Sequence, residues 1–365
     1  MIVRMTPIRY TPDLEQPAPD EAETIGKIAD TFRREAETVA AKSGHAMRPS
    51  HAKATAFLKG ELIIPDDLPP ELAQGLFATP ARYEALVRFA QGPGELLEDK
   101  VSTHRGVALK LLGVPGARMP ESREAGTQDF IFEPDPAFIN STPKTFLTNF
   151  KGVAAAASLP QAVKSAVSSA SRAAEHALET MGMGAKTLRF FGHDYDHPLS
   201  HAYFSQAPVR WGEHVAKLAL APSEEIVEAL GELRVETKDR PNAFREEMVA
   251  WFAANGAELE LRAQLCTSLH YMPIEDASVR WPEELSPYRT VARLSVPAQD
   301  AYSEARRAFF DDRLAFQPGH SVEAHRPLGG IMRARLAAYP QLQDFRQRRN
   351  GHSPVEPRSH ADVPD

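Results

Sequence analysis

The sequence predicts an α+β fold, an antiparallel β-barrel with helices between and around its strands. Short apolar or alternating runs broken by Gly and Pro recur from about residue 52 onward, the pattern of many antiparallel strands. The 30 prolines stand between those runs rather than in one block, which divides the chain into short elements and argues against a bundle of long helices. Helical periodicity is confined to the two ends and a few insertions.

Taken in order, a Pro-rich lead at 7–19 precedes Asp20–Lys42, where Ile25, Ile28, Phe32 and Val39 fall on one side of a helix and acids are enriched early. This helix is expected to be a solvent-facing arm, so that residues 1–44 form an N-terminal arm ahead of a core at 45–349. Strands are predicted at Ala54–Ile64, Ala85–Ala90, Gly106–Leu112 and Asp129–Phe132, and again at Ser200–Gln206, Val215–Leu220, Glu258–Leu265 and Thr290–Val296. The Ala- and Ser-rich stretch 153–181 carries Val163, Val167, Ala170 and Ala174 at helical spacing, which suits a helix packed on the barrel or a lid beside a substrate channel. Pro241 stops what precedes it and Asn242 is a candidate N-cap, giving a helix over Ala243–Asn255. Tyr302–Phe310 and Leu328–Arg349 are helical by pattern, and the polar, Pro-containing tail at 350–365 is expected to be disordered. There is no internal repeat.

Composition narrows the function. With 42 Lys plus Arg against 49 Asp plus Glu, the formal charge is −7, which gives no basis for nucleic-acid binding through phosphate neutralisation. No apolar run reaches the ~18 residues of a membrane span, and the start, Met1-Ile2-Val3-Arg4-Met5-Thr6-Pro7, has no signal-peptide core. A soluble cytoplasmic protein without stable membrane insertion is expected. The only cysteine, Cys266, excludes an internal disulfide and a cysteine-cluster metal site.

Gly-rich phosphate loops, His-Glu-x-x-His and Gly-x-Ser-x-Gly are all missing. The most informative stretch is Arg335-Leu336-Ala337-Ala338-Tyr339-Pro340-Gln341-Leu342-Gln343-Asp344-Phe345-Arg346. On a helix, Arg335, Tyr339 and Arg346 share one face. A guanidinium beside a phenol favours the phenolate, and a phenolate is an axial ligand suited to ferric haem. A second arginine two turns on suits a haem propionate.

Four further segments accompany it in order: Arg48-Pro49-Ser50-His51-Ala52-Lys53; Val87-Arg88-Phe89; Thr103-His104-Arg105-Gly106-Val107-Ala108-Leu109-Lys110; and Asp276-Ala277-Ser278-Val279-Arg280-Trp281-Pro282. Together the five motifs, spread over residues 45–349, resemble the haem catalase superfamily, and the short chain resembles its minimal and allene oxide synthase-like members. The resemblance implies a catalase-like antiparallel barrel with surrounding helices, holding heme b. It makes Tyr339 the proximal iron ligand, Arg335 its hydrogen-bonding partner, and Arg48, Arg88 and Arg346 the propionate-binding arginines. His51 becomes the distal base, and Phe138 a ring beside the haem.

The chain also departs from the family pattern. Gly126-Thr127-Gln128-Asp129-Phe130-Ile131-Phe132 lacks the distal asparagine, leaving Thr127 or Gln128 as the expected substitute. Ala90 replaces the serine after Arg-Phe, and Ser50 replaces the valine before the histidine, where its hydroxyl could hydrogen-bond and restrain the imidazole. These departures imply weak catalase activity at most. They point to a haem peroxidase or peroxygenase that uses hydrogen peroxide or an organic peroxide to oxidise a small organic or lipid-like substrate. The alternatives are a fatty-acid hydroperoxide isomerase or lyase and a non-catalytic haem-binding protein. A homo-oligomer is also implied.

Overall fold

The computed structural model describes residues 6–92, 94–101, 103–122, 125–149 and 194–365. Among the described residues there are nine strands: β1 (Lys53–Ile64), β2 (Ala81–Gln91), β3 (Arg105–Leu111), β4 (Gln128–Phe132), β5 (Tyr203–Phe204), β6 (Val209–Trp211), β7 (His214–Pro222), β8 (Ala257–Leu265) and β9 (Arg289–Val296). They lie in the order β4-β3-β2-β1-β9-β8-β7-β5, with β6 on β7, and the pairings are antiparallel. The two ends of the sheet meet where Glu133 and Phe204 exchange both backbone hydrogen bonds, at 2.9 and 2.6 Å. The sheet is therefore curled into a nearly closed barrel, which leaves little exposed edge.

Strand alternation divides the residues between two faces. Val87 and Phe89, Val107 and Leu109, and Phe130 and Phe132 turn inward and join Leu218, Leu261 and Leu294 in the main core. Each such side chain, once fully buried, adds about 1.5–3 kcal/mol. The intervening Arg88, Ala108 and Ile131 are register partners across β2, β3 and β4 and form one row on the other face. That row forms one wall of the cavity described below.

The longer helices among the described residues are α1 (Glu21–Ser43), α2 (Ala243–Ala254) and α3 (Gly330–Asn350), of which α1 and α3 line that cavity. α1 and α3 end in left-handed glycines, Gly44 at φ 73° and Gly351 at φ 71°. Contrary to the expectation of a solvent-facing arm, α1 packs on α3. Ala29 and Ala36 meet Ala338 and Leu342, and Phe32 and Phe345 close the contact. Ile28 and Phe32 of the predicted stripe lie on the same buried face, beside Ala334 of α3 and Phe146, and the alanines let the two helices approach closely. Arg333 of α3 reinforces the contact by binding Glu15, Glu21 and Glu275 at 2.6, 2.6 and 2.7 Å.

Two further expectations are corrected. The tail is ordered along the barrel: Val363 is buried with Phe57 and Phe310, and the Pro364 carbonyl accepts from Arg306 Nε at 3.2 Å. Asn242 occupies the N-cap of α2 without a side-chain cap bond. The Asp99 carboxylate caps that helix from another loop, accepting from the Phe244 N–H at 2.8 Å. The stretch 153–181 lies outside the described residues. Among those described, no helix is long and apolar enough to cross a membrane.

Candidate functional site

A cleft of about 1110 Å³ of empty space, partly open to solvent, lies between the outer row of β2–β4 and helices α1 and α3. Its walls bring together Arg48, Ser50, His51, Arg88, Phe138, Arg335, Tyr339 and Arg346. Ile28 and Phe32 of α1 and Ala338 and Leu342 of α3 make one side apolar.

α3 contributes Arg335, Tyr339 and Arg346 from a single face. Burial pushes the Tyr339 phenol above its ordinary value, the Arg335 charge pulls it down, and the Glu133 carboxylate adds to the upward shift. The Arg335 charge thus acts in the expected direction, toward the phenolate, against the effect of burial. Arg335 stacks its guanidinium 5.5 Å from the centre of the Phe138 ring rather than donating to Tyr339.

Three arginines crowd one end of the cavity. Arg48 donates to the Asp311 carboxylate at 2.8 Å and to the Phe310 and Leu314 carbonyls at 2.6 and 3.0 Å. Arg88 meets the same carboxylate at 3.0 Å. Arg346 donates to the Leu314 carbonyl at 3.1 Å, and its buried Nε has no partner among the described residues. Burial, and then repulsion from Arg88 and Arg346, hold Arg48 well below the usual guanidinium value. Arg346 falls to about 10 through burial and Arg88, against the pull of Asp311. Three guanidinium groups facing Asp311 and Asp312 leave positive charge unmatched, which suits a ligand carrying carboxylates.

On the barrel side stands His51, held at φ 53°, a left-handed conformation that a histidine adopts only when its surroundings impose it. A Cβ on Gly106 would lie 2.7 Å from His51 Cε1, so only glycine leaves room for the ring. The imidazole is fixed by a carboxylate rather than by the Ser50 hydroxyl: His51 Nε2 and Glu133 Oε1 are 2.7 Å apart. With the proton of a neutral ring on Nε2, the buried and unpartnered Nδ1 becomes the basic nitrogen. Burial raises the Glu133 carboxyl, but the His51 charge and hydrogen bond, with His104 and Arg335, outweigh it and hold Glu133 at about 2. His104 sits edge-on to His51, with ring centres 5.0 Å apart, and is pushed down to about 4, chiefly by burial.

Thr127 and Gln128, the expected substitutes for a distal amide, do not line the cavity. Thr127 accepts from Lys110 at 3.1 Å, and the Gln128 amide oxygen accepts from Ser321 and Val322 at 3.1 and 3.0 Å. Four residues of extended chain lie between Gln128 and Glu133, five rises of a strand or about 17 Å, so only the far end of β4 reaches His51. Glu133 lies outside the motifs, and His104 lies within one of them but received no role, although a carboxylate directly after β4 and a histidine directly before Arg105 are visible in the sequence.

The residues present fit a haem. A phenol and an imidazole line the same cavity, apolar side chains form its wall, and unmatched arginines including the orphaned Arg346 Nε stand at one end.

No protein-family model matches the chain, and no curated protein matches its sequence. Its solved structural relatives include a fungal catalase with TM-score 0.57 and 19% identity, matched over 85% of this chain and 61% of the other. Catalase A from Saccharomyces cerevisiae has TM-score 0.54 and 16% identity over 85% and 63%, and a bacterial catalase has the same score and identity over 93% and 63%. The chain thus spans less than two thirds of the length of these catalases. At such identities the likeness is one of fold, and the chain has a catalase-like α+β fold, a nearly closed antiparallel barrel flanked by helices.

Proposed function

We propose that the protein is a haem-dependent oxidoreductase that uses hydrogen peroxide or an organic peroxide to oxidise an organic co-substrate. The observation that carries this reading is that Tyr339, His51 and the Arg48, Arg88 and Arg346 trio line one cavity. Tyr339 would hold the iron, and the three arginines would hold the propionates. When bound, the haem supplies two-electron oxidation by peroxide, tuned by its axial ligand. His51 would take a proton from the incoming peroxide and return it to the departing oxygen. Glu133 fixes the orientation of the ring through the 2.7 Å contact with Nε2. The apolar side formed by Ile28, Phe32 and Leu342 favours an apolar co-substrate and keeps bulk water from that part of the cavity.

The test is the visible spectrum of the purified ferric protein, followed by stopped-flow mixing with hydrogen peroxide or a fatty-acid hydroperoxide. A high-spin haem spectrum that changes rapidly on mixing with peroxide, with turnover dependent on an added co-substrate, is expected. Rapid consumption of the lipid hydroperoxide without co-substrate would replace this reading with an isomerase or lyase, and unaltered spectra with both would leave a haem-binding protein. His51→Ala should keep the haem and slow the peroxide reaction by about 10²–10⁴-fold. Tyr339→Phe should lose haem or shift the Soret band, and an unchanged spectrum would remove Tyr339 from the iron.

A further inference from the structure

We propose that His51, His104 and Glu133 form a site for a divalent transition cation of the zinc class, set in the barrel end beside the cavity that His51 lines. The three residues come from separate segments: His51 precedes β1, His104 precedes β3 and Glu133 follows β4. Pairing of Lys53 with Gln91, Gln91 with Arg105, and Val107 with Phe132 brings those three strand ends to one end of the sheet. Their donor atoms all lie within 4.8 Å of one another.

The rings are disposed as ligands. Two imidazoles bound to one tetrahedral cation through nitrogens at about 2.0–2.1 Å have ring centres about 5 Å apart. The His51 and His104 centres are 5.0 Å apart with planes at 87°. Glu133 already stands 2.7 Å from His51 Nε2, and a cation entering between them needs a modest opening of that contact. The backbone reserves space for both rings, since a Cβ on Gly92 would come within 2.2 Å of His104 Cε1 and one on Gly106 within 2.7 Å of His51 Cε1. Two neutral imidazoles and one carboxylate suit zinc, cobalt or non-haem ferrous ions, with the remaining coordination positions left to water.

The binding itself goes beyond the haem reading, and only its consequence rests on that reading. A cation held by His51 and Glu133 withdraws the distal acid–base pair from proton transfer, so the site would switch off peroxide turnover.

Chelator-treated protein titrated with cobalt(II) should develop visible ligand-field bands saturating at one equivalent, and equilibrium dialysis should find one zinc per chain. Glu133→Gln and His104→Gln should each weaken binding at least tenfold. X-ray absorption of the zinc-loaded wild type should give two imidazole nitrogens and a carboxylate oxygen, a measurement that stands even if a variant fails to fold. Absence of stoichiometric binding, unaltered affinity in both variants, or a shell with fewer than two imidazoles would overturn the site. Soret absorbance on the same samples separates the two ideas. Haem uptake without cation uptake removes this inference alone, and cation uptake without haem uptake removes the haem reading alone.

Discussion

A carboxylate taken out of water is destabilised unless a partner compensates it, and Glu133 has His51 at 2.7 Å. Because its folded value of about 2 lies below the ordinary 4.5, the pair's contribution is fully present above pH 4.5 and is lost as pH falls toward 2. Glu133→Gln should therefore lower stability at pH 7 by about 2–3 kcal/mol. The gap from wild type should shrink between pH 4.5 and 2, as read by urea denaturation across that range; a pH-independent gap would contradict the pairing. Gly106→Ala should displace the imidazole and impair the peroxide reaction while the Soret band is retained, measured by stopped flow on matched haem loadings. At this scale His51, Arg48, Arg88, Tyr339 and Arg346 were legible because each stands in an ordered motif. Glu133 was not legible, because its role depends on where β4 ends, 82 residues after His51 in the chain.

Among the elements, the segment after Glu304–Arg307 holds Asp311, whose carboxylate serves both Arg48 and Arg88. Asp311→Ala leaves two crowded guanidinium groups without that partner, and a loss of about 2–4 kcal/mol is expected in denaturant titration. Added anionic ligand should recover part of that loss, because it would take up the same charges. The longer strands were readable from alternation and Gly or Pro boundaries, and α2 from Pro241 and its apolar residues. β6, with three residues, and the helix at Glu224–Leu230, with seven, are too short for a periodic signal to develop. The apolar stripe of α1, Ile25, Ile28 and Phe32, was readable, but what covers it was not, because Ala334, Ala338 and Leu342 of α3 lie far along the chain.

For the whole molecule, the barrel and the ordered tail form one packed unit. Deleting residues 352–365 would uncover Phe57 and Phe310 and remove the Pro364 carbonyl from Arg306. A destabilisation of about 1–3 kcal/mol is expected by thermal or urea unfolding, with the far-ultraviolet circular dichroism of the folded state retained. Polarity and proline content do not reveal this docking, since Pro357 and Val363 are the tail's only buried residues. The backbone bridge between Glu133 and Phe204 has a consequence of its own. The residue that closes the cylinder is also the one whose side chain grips His51, so a fluctuation that unzips the seam also slackens the imidazole. An excursion confined to that seam would leave Tyr339 and the arginines assembled on α3, β2 and the segment before β1 while loosening the hydrogen-bonded pair across from them. On the proposed function such a half-open species would keep a bound haem and lose the hydrogen-bonded histidine, and amide exchange at Glu133 and Phe204 would time its appearance.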